Sequence, residues 1–198
     1  MIEFHNASDA IPYLLFREKY DQALNAGQKS IEAISISSFN KEKNEVDSRF
    51  VNLKIIDNDN FIFFSNYNSP KSLAFESHNQ VSVNIYWPTI NLQIRMKAKI
   101  SKKKRSYNQA YFLKRSSEKN ALAISSDQSK SISSYDLIVK KYNEVKKDRD
   151  LKECPEYWGG FAFKPYEIEF WEGNSFRLNK RNVYKLVDNI WHHSILEP

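Results

Sequence analysis

Glycine is scarce, with four in 198 residues. A glycine-rich phosphate cradle has no raw material here, which excludes a P-loop or a Rossmann dinucleotide turn. Cysteine is scarcer still. Cys154 is the only one, so no internal disulfide can form; a reducing compartment is expected, with the cytosol as default. Nothing near it in sequence would activate it, and it reads as a structural or surface thiol. No apolar run approaches the roughly 20 residues that cross a bilayer. The opening MIEFHNASDAIPYLLFREKY has no basic stretch leading into an apolar core, so no secretory signal is expected. The four histidines are His5, His78, His192 and His193. The adjacent pair would point to opposite faces of a strand, a poor metal clamp. No acid–base dyad or nucleophile triad is visible.

Hydrophobic residues make up 41% and aromatics 14%, enough for a globular core. Without repeats, low-complexity segments or a linker, residues 1–198 read as one domain. The net charge of +6 and pI of 9.2 admit nucleic acid, a membrane surface or small phosphate ligands as partners. The densest basic run, SKKKRS (Lys102 to Arg105), lies where a strand gives way to a helix. It reads more readily as a solvated loop, since no zinc-finger spacing or RNP-type motif accompanies it. A basic nucleic-acid-binding barrel rests on that run and the pI alone.

Periodicity predicts a helix over 8–26, capped by Asp9, with Pro12 in its first turn, Phe16, Tyr20, Ala23 and Leu24 on one face, and Gly27 as its stop. Strands follow: IEAISISSF, SRFVNLKIID, NFIFFSN, QVSVNIYW and INLQIRMKAKIS. The last alternates throughout, with Ile90, Leu92, Ile94, Met96, Ala98 and Ile100 on one face. Helices are expected at SPKSLAFES, over 104–119, and at SYDLIVKKYNEVKKDRD with Leu137, Ile138, Tyr142 and Val145 as its stripe. GGFAFKP, YEIEFWE, SFRLNK, NVYKLV and NIWHH return to strand. The class is mainly β with flanking helices, an antiparallel sheet or barrel.

Several clusters favour anions. On a helix over 104–119, Tyr111, Arg115 and Lys119 recur every four residues and share a face. A phenol with two cations makes a phosphate cradle, although such faces are more often merely solvated. SPKS (69–72) opens a helix, whose N-terminus attracts anions but is equally an ordinary cap. Arg49 and Lys54 flank an apolar strand. In EIEFWEGNSFRLNKR (167–181), a turn at Gly173–Asn174 would join two strands, with Arg177, Asn179 and Arg181 sharing one face near Trp171. Together these suit a phosphorylated aromatic ligand, with any chemistry supplied by a cofactor.

SRFVNLK, FFSNYNSPKS, NLQIRMKAKI, YFLKRSSEKN, SDQSKSI, PEYWGGF and EIEFWEGNSFRLNKR, in that order and spacing, resemble the pyridoxamine 5′-phosphate oxidase family. The likeness runs from about residue 10 to Pro198, and the C-terminal motif, similar to the family's EFWQG…RLHDR, is the most specific. It implies an FMN-binding antiparallel split β-barrel acting as a cytoplasmic homodimer with FMN at the subunit interface, and no nucleic-acid or membrane partner. Pyridoxamine or pyridoxine 5′-phosphate would be oxidised at the 4′ carbon to pyridoxal 5′-phosphate. Hydride would pass to the flavin, and O2 would reoxidise it to give H2O2.

By the same resemblance, Arg49, Phe50, Val51, Asn52, Leu53 and Lys54 lie along FMN. Arg49, Ser69 and Lys71 hold its phosphate, and Phe64 and Ser65 replace a Tyr-Thr pair. Gln93, Gln128, Ser129, Trp171 and Arg181 complete the cofactor site around the dimer interface. Substrate falls to Lys54, Tyr111, Arg115, Lys119, Arg177 and Asn179, with Arg177 over the pyridine ring in the catalytic position. No metal is implied. Pro70 replaces an arginine of the family pattern, Lys119 a serine, Asn179 a histidine and Lys180 an aspartate. Two alternatives accompany this reading: a same-fold FMN oxidase with another substrate, as among the phenazine-biosynthesis flavin enzymes, and a flavin- or pyridoxal-phosphate-binding protein with little turnover.

Overall fold

The computed structural model describes residues 1–198. In chain order the elements are β1 (Glu3–His5), α1 (Ile11–Asn25), β2 (Ala33–Asn40), β3 (Glu45–Asn52), β4 (Ile55–Asp57), β5 (Asn60–Asn66), α2 (Pro70–Ser77), β6 (Gln80–Trp87), β7 (Leu92–Lys102), α3 (Arg105–Leu113), α4 (Ser117–Ser125), α5 (Tyr135–Asp148), β8 (Trp158–Glu172), β9 (Lys180–Val187) and β10 (Ile190–Leu196). The strands form one sheet in the order β1-β4-β5-β8-β7-β6-β2-β3, with β9 joining β8 and β10 joining β9. All pairings are antiparallel except β1 with β4. The architecture is mixed α+β, and the sheet is not closed.

Alternation sets the middle of the sheet. On β6, Val81, Val83, Ile85 and Trp87 are buried, and on β7 Leu92, Ile94, Met96, Ala98 and Ile100. One apolar face thus lies under α1, whose Phe16 meets Phe61 at 5.2 Å and Trp87 at 5.7 Å between ring centroids. Full burial of an aromatic side chain stabilises by roughly 1.5–3 kcal/mol. β8 is the spine. Its first half pairs with β5, its second half with β9, and β7 runs along both.

Several expectations need correction. α1 begins at Ile11 after Ala10, with no side-chain cap from Asp9, and Leu24 is exposed. Gly27, at φ +75°, does take the left-handed turn beyond it. SRFVNLKIID breaks at Leu53–Lys54 into β3 and β4, and Ile90 lies in a 3-10 turn before β7. The helix over 104–119 is two helices, because Ser116 caps a new one by accepting from Lys119 N. α5 packs beside α4, but none of its stripe residues is buried.

SFRLNK is not a strand. Ser175–Arg177 form a 3-10 turn, with Phe176 and Arg177 at φ 56° and 62°. Asparagines at both ends explain it. Asn174 Oδ1 accepts Ser175 N at 2.7 Å, and Asn179 Oδ1 accepts Asn174 N at 3.2 Å. Such local bonds compete with a strand ladder. Arg177, Asn179 and Arg181 therefore do not share a strand face.

Candidate active site

A cavity of about 780 Å³ opens between β3, β5 and α3. β3 contributes Phe50, Val51 and Asn52, the link after it Lys54, and β5 contributes Phe64 and Ser65. Lys71 enters from α2, Tyr111 from α3, Arg115 from the α3–α4 link, Lys119 from α4 and Gln128 from the following loop. Tyr111 and Lys119 sit on different helices, yet they and Arg115 meet at this one wall.

α3 is fixed by Asn108. Its Oδ1 accepts Gly160 N at 2.9 Å, and its Nδ2 donates to Tyr67 Oη at 2.9 Å. A Cβ on Gly159 would lie 2.2 Å from both Asn108 Nδ2 and Tyr67 Oη, so glycine permits this close approach. Tyr111 then stacks on Phe64, with centroids 3.7 Å apart and planes 7° apart. Arg115 lies 4.3 Å over the Trp158 ring.

Two cations of this lining, Lys71 and Arg115, have no carboxylate partner. Lys71 is buried, and its Nζ donates to Ser69 Oγ at 3.0 Å. Burial, together with nearby Arg49, pushes its amine down to about 8. Arg49 itself lies outside the cavity lining, paired with Asp47 and donating to Ser38 Oγ at 2.8 Å. Arg115 Nη1 is buried with no hydrogen-bond partner, while Nη2 donates to Lys119 O at 3.1 Å. Lys54 differs, being 3.7 Å from Glu32. A buried donor without a partner, as at Arg115 Nη1, is costly, and so is a buried ammonium without a counter-charge, as at Lys71, so both fit ligands that bring anionic groups.

The other expected residues lie elsewhere. Leu53 sends its side chain into the core, fully buried. Ser69 stands behind Lys71, and Ser129 is off the lining. Gln128 reaches the cavity within one chain, where Oε1 accepts from Ser65 Oγ at 3.3 Å. Gln93, Trp171 and Arg181 form a direct cross-strand row, Gln93 opposite Trp171 on β7 and β8, Trp171 opposite Arg181 on β8 and β9. Trp158 lines the cavity and Trp171 lies thirteen residues further along β8. Arg177 and Asn179 sit on the loop next to this row, and neither lines the cavity. Apart from Arg49, Leu53, Ser69 and Ser129, the expected residues thus fall into two groups, the cavity lining and this row with its neighbouring loop.

Residues 158–198 match the pattern described as the pyridoxine 5′-phosphate oxidase C-terminal dimerisation region. The chain is 32% identical over 192 residues to the pyridoxine/pyridoxamine 5′-phosphate oxidase 1 of Hydrogenovibrio crunogenus, covering 94% of this chain and 88% of that one. The chain belongs to the pyridoxine/pyridoxamine 5′-phosphate oxidase family. The family is one of FMN-dependent oxidoreductases. The fold is similar to that of PhzG from Burkholderia lata, solved with tetrahydrophenazine-1-carboxylic acid, with a TM-score of 0.87 at 23% identity over 94% of this chain and 92% of that one. It is also similar to a pyridoxamine 5′-phosphate oxidase-related, FMN-binding protein from Nostoc punctiforme, with a TM-score of 0.77 at 13% identity over 92% and 97% of the chains.

Sequence reasoning missed several lining residues. Glu3 and His5 enter the cavity because β1 pairs with β4, and a three-residue strand carries no periodic signal. Tyr107 lies one turn before Tyr111, at a spacing that was legible. Glu32 entered through its pairing with Lys54, which only tertiary contact creates.

Proposed function

We propose that this chain is an FMN-dependent oxidase that converts pyridoxamine or pyridoxine 5′-phosphate to pyridoxal 5′-phosphate, consuming O2 and releasing H2O2. The amine substrate also takes up water and releases ammonia. The observation that carries this reading is the pair of unneutralised cationic positions in one cavity, Lys71 with Ser69 and Arg115 with Tyr111 and Lys119. One suits the cofactor phosphate and the other the substrate phosphate. Bound FMN supplies the hydride acceptor. The protein's part is to bind and orient. The Phe64–Tyr111 stack gives the aromatic ligand a flat apolar wall, and Arg177 faces the pyridine ring.

In this reading the assembly is a homodimeric split barrel. The row Gln93–Trp171–Arg181, with Arg177, reaches the cavity of a second copy, because ligand pockets enclose most of their ligand. A second reading keeps the fold and FMN but takes another planar anion as substrate. The specific observation favouring it is Asn179, whose side-chain oxygen is occupied in closing its own loop.

A panel of substrates offered to the FMN-loaded protein under air tests both. Peroxide release with pyridoxamine or pyridoxine phosphate is expected. No release with either, alongside oxidation of a polycyclic aromatic carboxylate, would select the second reading. Light scattering should give a dimer.

A further inference from the structure

Glu169 is the only buried carboxylate of the chain's 24 acidic residues. It lies on β8 two residues before Trp171, on the same face. Its Oε1 accepts Arg181 Nε at 2.8 Å, and its Oε2 accepts Arg95 Nε at 3.1 Å. Arg181 Nη1 also donates to Glu197 O at 2.9 Å. The Arg181 guanidinium is thus held at two of its three nitrogens, and Nη2 has no partner in the chain.

We infer that Glu169 is a positioning residue for the cofactor: it fixes the Arg181 guanidinium next to Trp171 so that its Nη2 edge is presented to the flavin. This rests on the reading of Arg181 as a flavin contact. Mere tying of three strands does not account for a buried charge, since well-packed apolar residues serve that purpose at least as well. Two arginines against one carboxylate also leave a net positive charge next to the Gln93–Trp171–Arg181 row. Burial works to raise the Glu169 carboxyl, but the hydrogen bonds and charges of Arg181 and Arg95 outweigh it and hold it below the usual carboxylate range. The anion is therefore maintained where it orients Arg181.

A double-mutant cycle tests this, read as FMN dissociation constants from flavin fluorescence while titrating apoprotein. Arg181→Ala is expected to weaken FMN at least tenfold. Glu169→Gln leaves a single oxygen acceptor for two arginines, and should weaken FMN about tenfold when Arg181 is present. In the Arg181→Ala background the same substitution should change it less than twofold. Equal loss in both backgrounds, with Arg181→Ala itself weakening FMN, would overturn the positioning role alone. No loss with Arg181→Ala would overturn both that role and the reading of Arg181. Should Glu169→Gln not fold, Glu169→Asp carries the same cycle, because it keeps the charge and withdraws it by one methylene.

Discussion

The two groups of site residues handle charge in opposite ways. In the cavity between β3, β5 and α3, Lys71 is buried, Arg115 is half-buried with its Nη1 shut off from solvent, and neither has a carboxylate partner. Across β7, β8 and β9, Arg95 and Arg181 are neutralised in part by Glu169. An unpaired buried cation is a vacancy for a ligand's charge, whereas a paired one holds a geometry. Under the proposed function, the cavity is the anion-binding half of the site and the row Gln93–Trp171–Arg181 the platform for the ring.

If the cavity alone carried the reaction, Arg177 would be dispensable, since it does not line it. Arg177→Ala is instead expected to lower kcat/KM for pyridoxamine phosphate about 100-fold, the size of a lost charge-assisted bond at the upper end. FMN affinity should not change. Steady-state kinetics with fluorescence titration checks both, and unchanged turnover would collapse the two-region picture into one.

A second pair of variants separates the regions by ligand. Lys71→Ala should weaken FMN roughly ten- to a hundredfold and leave riboflavin unaffected, because only FMN carries the phosphate. Trp171→Ala should weaken both ligands equally. The pH dependence sharpens this. Lys71, depressed to about 8, must be protonated to pair with a phosphate. FMN affinity should therefore hold below about pH 8 and fall above it, by up to about tenfold per pH unit. Lys71→Arg should remove the fall, since arginine stays charged. A flat profile in the unaltered protein would dissociate Lys71 from the phosphate.

Regular alternation made the sheet interior legible. β6 and β7 bury every second residue as their sequences dictate. The cationic residues and the phenol were legible by type, and Lys54, Lys71, Arg115 and Lys119 do meet in one cavity with Tyr111. Their route there was not. A helix over 104–119 satisfied the spacing of Tyr111, Arg115 and Lys119, but Ser116 offered a cap that ends the pattern. The hairpin after Trp171 failed for a similar reason. Alternation in SFRLNK mimics a strand, and the backbone-binding asparagines on either side win. Leu53 was expected along the cofactor with the rest of its motif, yet it sits in the break between β3 and β4 with its side chain in the core.

The smallest expected effect concerns Asn179. On a strand beside Arg177 it would line the substrate pocket, and a histidine there would help. The loop assigns it other work, since its Oδ1 accepts Asn174 N and holds a turn in which Phe176 and Arg177 adopt left-handed backbone angles. Asn179→Ala removes one hydrogen bond, a cost of roughly 0.5–1.5 kcal/mol. For a chain of this size about 1 kcal/mol lowers Tm by roughly 2–4 °C. Because Arg177 is two residues away on the same turn, kcat/KM should drop only a few-fold, through looser placement. Asn179→Asp retains an acceptor oxygen and should restore both. Calorimetry and kinetics on the three proteins decide it. If Asn179→Ala costs as much turnover as Arg177→Ala while Tm stays fixed, the residue touches substrate directly, and its loop bond is incidental.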